Sequence, residues 1–142
     1  MAHEDLDEEK WEQDQRLLIE AYLHKQGVAH GGVGERPAFS IPPYLALWAI
    51  QSHRVSGRVG WWAISGDVPT DYLSSDDGKN PREALRAFSK IWREVSDCMA
   101  EGKKHPTVNI GPPDRWKDFA PLLRRRSDLL EEFAANDELW EE

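Results

Sequence analysis

The chain has 142 residues, 39% of them hydrophobic and 31% charged, and a formal net charge of −8. Its length suits one compact domain, its apolar and aromatic content excludes a disordered chain, and its longest apolar run, Tyr44 to Ile50, is far short of a membrane span. The single cysteine, Cys98, excludes an intrachain disulfide framework and a cysteine-cluster zinc site.

The first predicted element is a helix over residues 5–26. Trp11, Leu18 and Tyr22 mark its apolar face, with Gln15 between them and Leu17, Ile19 and Leu23 widening the stripe. Glu12, Asp14, Arg16 and Glu20 are expected to face water, and Gly27 is the stop. Residues 27–43 contain Gly27, Gly31, Gly32, Gly34, Pro37, Pro42 and Pro43 and read as a loop. Its glycines do not form a phosphate cradle, because no Gly-Lys-Ser/Thr follows them. Residues 45–52 and 59–65 read as an antiparallel hairpin joined by the polar link 53–58. A short helix over 44–52, opened by Pro42-Pro43, is the rival. On the first strand Trp48 and Ile50 share one face, and Leu45, Leu47 and Ala49 the other. On the second, Trp61 and Ala63 alternate with Trp62 and Ile64. Both faces are apolar, so both are expected to be covered.

Residues 65–72 and 74–78 read as turns. Asn80-Pro81-Arg82-Glu83 opens the clearest helix, over 81–101, with Asn80 as cap, Pro81 at the first position and Glu83 three residues on. Leu85, Phe88, Trp92, Val95 and Met99 form its stripe, and Gly102 ends it. Residues 105–110 predict a short edge strand. Pro112-Pro113-Asp114 opens a last helical region with Trp116, Phe119, Leu123, Leu130 and Phe133 in one stripe, kinked or split near Ala120 by Pro121. Residues 1–4 and 137–142 are expected to fray, although Leu139 and Trp140 could dock back. Together these elements predict a single α+β domain over 1–142. Its small antiparallel sheet, centred on the hairpin, would pack against the 81–101 helix, with the terminal helices closing the remaining faces.

Charge is uneven. Residues 1–26 carry a net of −5 and residues 127–142 a net of −7, while residues 27–126 carry +4. Acidic ends repel nucleic-acid phosphates and favour a basic protein partner, or simply solubility. Arg124-Arg125-Arg126 is the one basic cluster, and consecutive helical residues spread around the axis instead of forming a patch.

Seven tryptophans stand out, and Trp11, Trp92 and Trp116 sit at core-facing helical phases. Adjacent Trp61 and Trp62 are different, because neighbours on a strand point to opposite faces. Either the sheet is covered on both sides or one indole lines a groove. Just beyond them, Asp67 and Asp71, with Tyr72, follow a buried strand in a position where loops carry function. These carboxylates would either bond nearby backbone amides or hold a ligand or divalent cation, with Asp76 and Asp77 near in sequence. The candidate binding residues are therefore Trp61, Trp62, Asp67, Asp71 and Tyr72. The histidines His3, His24, His30, His53 and His105 show no metal-ligand spacing. Ser65 before Gly66 is only a weak likeness to a nucleophile elbow. Asp67 and Asp71 with His53 or His105 would be required to converge for catalysis. Cys98 lies beside Asp97, an acidic neighbour that disfavours a reactive thiolate.

The string Trp62-Ala63-Ile64-Ser65-Gly66-Asp67-Val68-Pro69-Thr70-Asp71-Tyr72, with Leu47-Trp48 and Asn80-Pro81-Arg82-Glu83-Ala84-Leu85, resembles an uncharacterised family of short bacterial proteins, a domain of unknown function. The likeness covers residues 10–135. It implies a single-domain protein, and it carries over no assigned activity, cofactor or partner.

The function expected from the sequence is a soluble, cytoplasmic, non-catalytic protein-binding module. It would neutralise or regulate a protein partner, a basic one, through an acidic and aromatic surface, with no nucleic acid, membrane, metal or cofactor involved. The alternative is a small enzyme or metal-binding protein using Asp67 and Asp71. A third reading is a homo-oligomer joined through the Trp-bearing sheet.

Overall fold

The structure, a computed structural model, describes residues 7–108 and 112–141. The fold is α+β. The chain divides into two units, Met1–Pro81 and Arg82–Glu142, each with its own pattern of packing.

In the first unit, α1 (Glu8–Gln26) begins where the Asp7 carboxylate accepts from the backbone N–H of Lys10 at 3.1 Å. It ends at Gly27, whose φ of 72° lets the chain turn back, with Val28 N–H bonding to Leu23 O at 3.0 Å. Five strands follow: β1 (Gly32–Val33), β2 (Phe39–Ile41), β3 (Leu45–Gln51), β4 (Val59–Gly66) and β5 (Asp71–Ser74). All pair antiparallel. β3 and β4 form the predicted hairpin, which excludes a helix over 44–52. β5 lies on the outer side of β4, and β1 and β2 follow one another along the free edge of β3. The register steps from Ile50↔Trp61 to Gln51↔Val59, so Gly60 is the extra residue of a bulge.

Two sequence expectations are corrected here. Residues 27–43 are not all loop, since they contain β1 and β2, and 71–74 is a strand instead of a turn. Strands of two to four residues have little signal of their own, and their pairing to β3 and β4 creates them. Conversely, residues 105–108 form no strand, and Asn109 and Ile110 lie outside the described residues.

Beneath α1, Ile19 and Leu23 meet Val33, Ala46, Trp48, Ile50 and Ala63, with Trp11, Tyr22, Val28, Trp61 and Tyr72 at the margin. The expected strand faces are thus realised. The expected helix face is realised in part: Ile19 and Leu23 are buried and Trp11 and Tyr22 pack at the margin, but Leu17 and Leu18 are exposed and Glu12 is buried. Polar anchors explain these departures. Arg36 donates from Nε and Nη2 to Glu12 Oε1 at 3.1 and 2.9 Å. Arg16, also expected in water, donates to Gly34 O at 2.9 Å and Val33 O at 2.8 Å. Such charge-assisted bonds fix which side of α1 meets the strands.

In the second unit, α2 (Pro81–Glu101) begins at proline, as expected, and α3 (Trp116–Ala135) runs back along it. The antiparallel register is set by three tie points. Arg82 Nε donates to Ala134 O at 2.7 Å, and Arg124 Nη1 donates to Asp97 Oδ1 at 3.0 Å. Between them Ser89 Oγ donates to Ser127 O at 2.8 Å, and Ser127 Oγ donates to Ser89 O at 2.7 Å. The buried seam of α3 is Trp116, Ala120, Ser127, Leu130 and Ala134, in which small residues recur every seventh position. Trp116 and Leu130 are buried as the expected stripe required, and it is corrected at Phe119, which is exposed because the close approach that lets a hydroxyl reach a carbonyl selects the small-residue side. Val95, Met99, Trp116 and Ala120 form a small core at one end. Pro121 does not split α3. It removes only one backbone donor near the start of the helix, and Lys117, whose carbonyl loses that partner, is exposed to water. The 3-10 turn Asp137–Trp140 follows α3, and the Trp140 indole donates back to Phe133 O at 2.9 Å. The Arg82 guanidinium hydrogen-bonded to Asp137 holds that carboxyl below its ordinary range.

Candidate functional site

Trp61 pairs with Ile50 and Trp62 with Ala49, so the two indoles face opposite sides of the sheet. Their environments differ. Trp62 is buried, and its Nε1–H donates to Gly78 O at 2.7 Å. Its indole therefore belongs to the interior and offers no binding face, which removes Trp62 from the expected site. Trp61 is half-buried, and its Nε1–H donates to Ala29 O at 3.3 Å.

On the α1 side of the sheet, Trp61 starts a ladder of three rings. Its centroid lies 5.7 Å from that of Tyr72 at 71°, and Tyr72 lies 6.0 Å from Tyr22 at 67°. Both contacts are edge-to-face, the arrangement that sets the positive rim of one ring on the negative face of the next. Trp61 comes from β4, Tyr72 from β5 and Tyr22 from α1. Tyr22 was legible only as part of the α1 stripe, because no local signal pairs it with a strand fifty residues on. Burial, then the charge of Asp71, then Tyr72, push the Tyr22 phenol up to about 12.

Asp71 and Tyr72 share the edge of the sheet, since β5 ends the strand order. The Asp71 Oδ1 accepts from the Tyr72 backbone N–H at 2.8 Å. The carboxylate thus occupies a donor of an edge strand and places a negative charge there, both of which discourage indiscriminate strand pairing. Asp71 consequently takes the backbone-bonding role that its turn-like sequence allows, while still charging the rim of the ring ladder.

Asp67 is exposed and follows Gly66. At Gly66 φ is +121°, and a Cβ would stand 2.6 Å from Tyr44 O, so only glycine fits where the chain leaves β4. The Asp67 N–H then bonds to Tyr44 O at 2.8 Å. Ser65 is wholly buried and accepts from Trp48 Nε1 at 3.4 Å, which rules out an exposed nucleophile elbow. His53 lies in the β3–β4 link, at the opposite end of β4 from Asp67. His105 orders its own loop: Nδ1 accepts from the N–H groups of Thr107 and Val108 at 3.2 and 3.0 Å, and Nε2 lies 3.4 Å from Glu94. Among the described residues no three His, Cys, Asp or Glu side chains are grouped to hold a metal ion.

A family model described as Domain of unknown function (DUF4826) matches residues 5–140. The chain belongs to this family. No curated protein and no solved structure matches it. Among the described residues, no helix is long and apolar enough to cross a membrane.

Proposed function

We propose that this protein is a soluble, cytoplasmic, non-catalytic module that binds a protein partner bearing basic groups. Its recognition surface is the aromatic ladder of Trp61, Tyr72 and Tyr22, rimmed by Asp71. The observation that carries this reading is the half-buried state of these three rings, with Tyr72 on the edge strand β5 and Trp61 and Tyr22 packed edge-to-face against it. A ring packed on one side and open on the other supplies contact area with little further loss of side-chain freedom, which is why Trp and Tyr anchor interfaces. The net charge of −8 disfavours nucleic acid and speeds the approach of a cationic surface.

The test is capture by the immobilised chain, comparing wild type with Trp61→Ala and Tyr72→Ala at low and high salt. The expected result is a partner retained by wild type at low salt, weakened by each substitution and released by salt. A partner held equally well by all three proteins and indifferent to ionic strength refutes the assignment.

A further inference from the structure

The second unit carries a cleft of its own. It lies between α2 and α3, has a volume of about 300 Å³, and is lined by Arg86, Ser89, Lys90, Arg93, Glu131 and Ala135. That volume is at the small end of the range for ligand sites, enough for a compact molecule. Helical spacing brings the lining together. Residues 86, 90 and 93 share a face of α2, and 131 and 135 share a face of α3, so each helix supplies one wall. Ser89 is buried and donates to Ser127 O, which fixes how closely the walls approach.

The lining holds three cations and one carboxylate, and that carboxylate is already engaged. Arg93 Nη2 donates to Glu131 and, at 3.0 Å, to Asp128, while Arg124 Nε stands 3.6 Å from the same Asp128. Arg86 and Lys90 are exposed, and among the described residues neither makes a hydrogen bond or an ion pair. Arg86 acts on Asp137 only through its field, since the hydrogen bond to that carboxyl comes from Arg82. Like charges four residues apart on a helix repel, so an anion seated between Arg86 and Lys90 relieves a strain that the free chain carries. An independent sign comes from Arg93, whose Nε is buried without an acceptor. Buried donors in folded proteins are nearly always paired, so this N–H calls for an oxygen beside it.

We propose that this cleft binds a small phosphomonoester. Its phosphate sits between Arg86 and Lys90, with an oxygen accepting from Arg93 Nε, and its carbon skeleton lies along Ala135 and the alkyl stems of the long side chains. The class of ligand follows from charge. A phosphomonoester carries close to two negative charges at neutral pH, which matches the two cations that lack a partner, whereas a carboxylate supplies one. The guanidinium fork of Arg86 also fits two phosphate oxygens at once.

Titration of the full chain with phenyl phosphate tests this, followed by proton–nitrogen NMR correlation spectra at about pH 8, well above the second phosphate pKa of about 6. Backbone signals of residues 86–93 and 131–135 should move with a dissociation constant on the order of 1 mM. The side-chain Nε–H signal of Arg93 should move with them as it gains an acceptor. Arg86→Gln and Lys90→Gln should each weaken binding about tenfold. Arg125→Gln removes the same charge from an exposed position of α3 outside the cleft, and it should leave binding unchanged. Circular dichroism verifies that each variant keeps its helices. Benzoate, with one charge, and inorganic phosphate, with no carbon skeleton, should each bind about tenfold more weakly than phenyl phosphate. Signals that stay in place at about 10 mM phenyl phosphate overturn the proposal. So does an Arg125→Gln loss equal to that of Arg86→Gln, an Arg93 Nε–H signal that stays fixed while the backbone responds, or either control compound binding as tightly as phenyl phosphate. Trp61→Ala, in the first unit, should leave this titration unchanged, so it fails or stands apart from the protein partner described above.

Discussion

Gly66→Ala should be among the most damaging single-methyl changes in the molecule. Gly66 holds φ at +121°, a region that L residues rarely enter, and the new methyl would lie 2.6 Å from Tyr44 O and 2.8 Å from the Leu45 Cα. Both obstacles are backbone atoms of the strand paired with it, since Leu45 is the register partner of Gly66. No rotamer change can relieve them. Strain at such a φ costs about 1–3 kcal/mol, and forced backbone displacement in a packed region adds about 1–3 kcal/mol. The sum, roughly 2–6 kcal/mol, is a large part of the 5–15 kcal/mol that holds a typical domain together. For a chain of this size it corresponds to a fall of about 6–20 °C in melting temperature. Gly57→Ala is the control: its φ is +80°, but nothing lies within 4 Å of the added methyl, so only the conformational strain of about 1 kcal/mol remains. Thermal and urea unfolding followed by circular dichroism measure both. If Gly66→Ala melts no lower than Gly57→Ala, the close approach at the end of β4 does not govern stability, and the steric argument is wrong.

Three further outcomes follow from the packing. The Tyr22 phenol should ionise near pH 12, later than a free tyrosine, and Asp71→Asn should bring it down partway because burial remains; the difference in ultraviolet titration between wild type and Tyr22→Phe reads this. Because the folded value lies above the unfolded value of about 10, the stability linked to Tyr22 is fully present below pH 10 and is lost as pH rises toward 12. The two adjacent indoles should separate in urea melts: Trp62→Ala, at a buried ring, should cost about 3–5 kcal/mol, and Trp61→Ala, at a half-buried one, about 1–2 kcal/mol. Ser89→Ala and Ser127→Ala should each cost about 1–2 kcal/mol, and the double variant should cost less than their sum by about 1 kcal/mol, because the two hydroxyls bridge the same pair of turns; additive losses in a double-mutant cycle would show that the clasp is not a unit.

What could be read from the sequence, and what could not, divides along a physical line. The opposition of Trp61 and Trp62 was legible because side-chain parity is a property of any extended backbone, whichever strand lies beside it. The hairpin itself was legible for a similar reason: both runs are long and apolar on each face, and no other pairing needs so short a connection. The helix stops at Gly27 and Gly102 were equally local. In contrast, β1, β2 and β5 were invisible because their residues are extended only by virtue of what they pair with. On α1 and α3 most of the expected stripe faces inward, and the positions at its margin were misjudged for related reasons. Hydrophobic periodicity placed Leu18 and Phe119 inward, and it gave no weight to Arg36 drawing Glu12 under cover or to serine hydroxyls drawing two helices together. A charge-assisted or reciprocal polar tie between distant segments is comparable in strength to the burial of one leucine, and no local window of the sequence contains both of its ends. The candidate site shows the same division. Trp61 and Tyr72 stood out by their positions beside a turn, whereas Tyr22 joins them only because α1 crosses the sheet, and Asp71 gains its meaning only once β5 is an edge strand with a backbone donor to occupy. Leu17 and Leu18 on α1 and Phe119 on α3 are the apolar residues left outside where those polar ties set the helix faces.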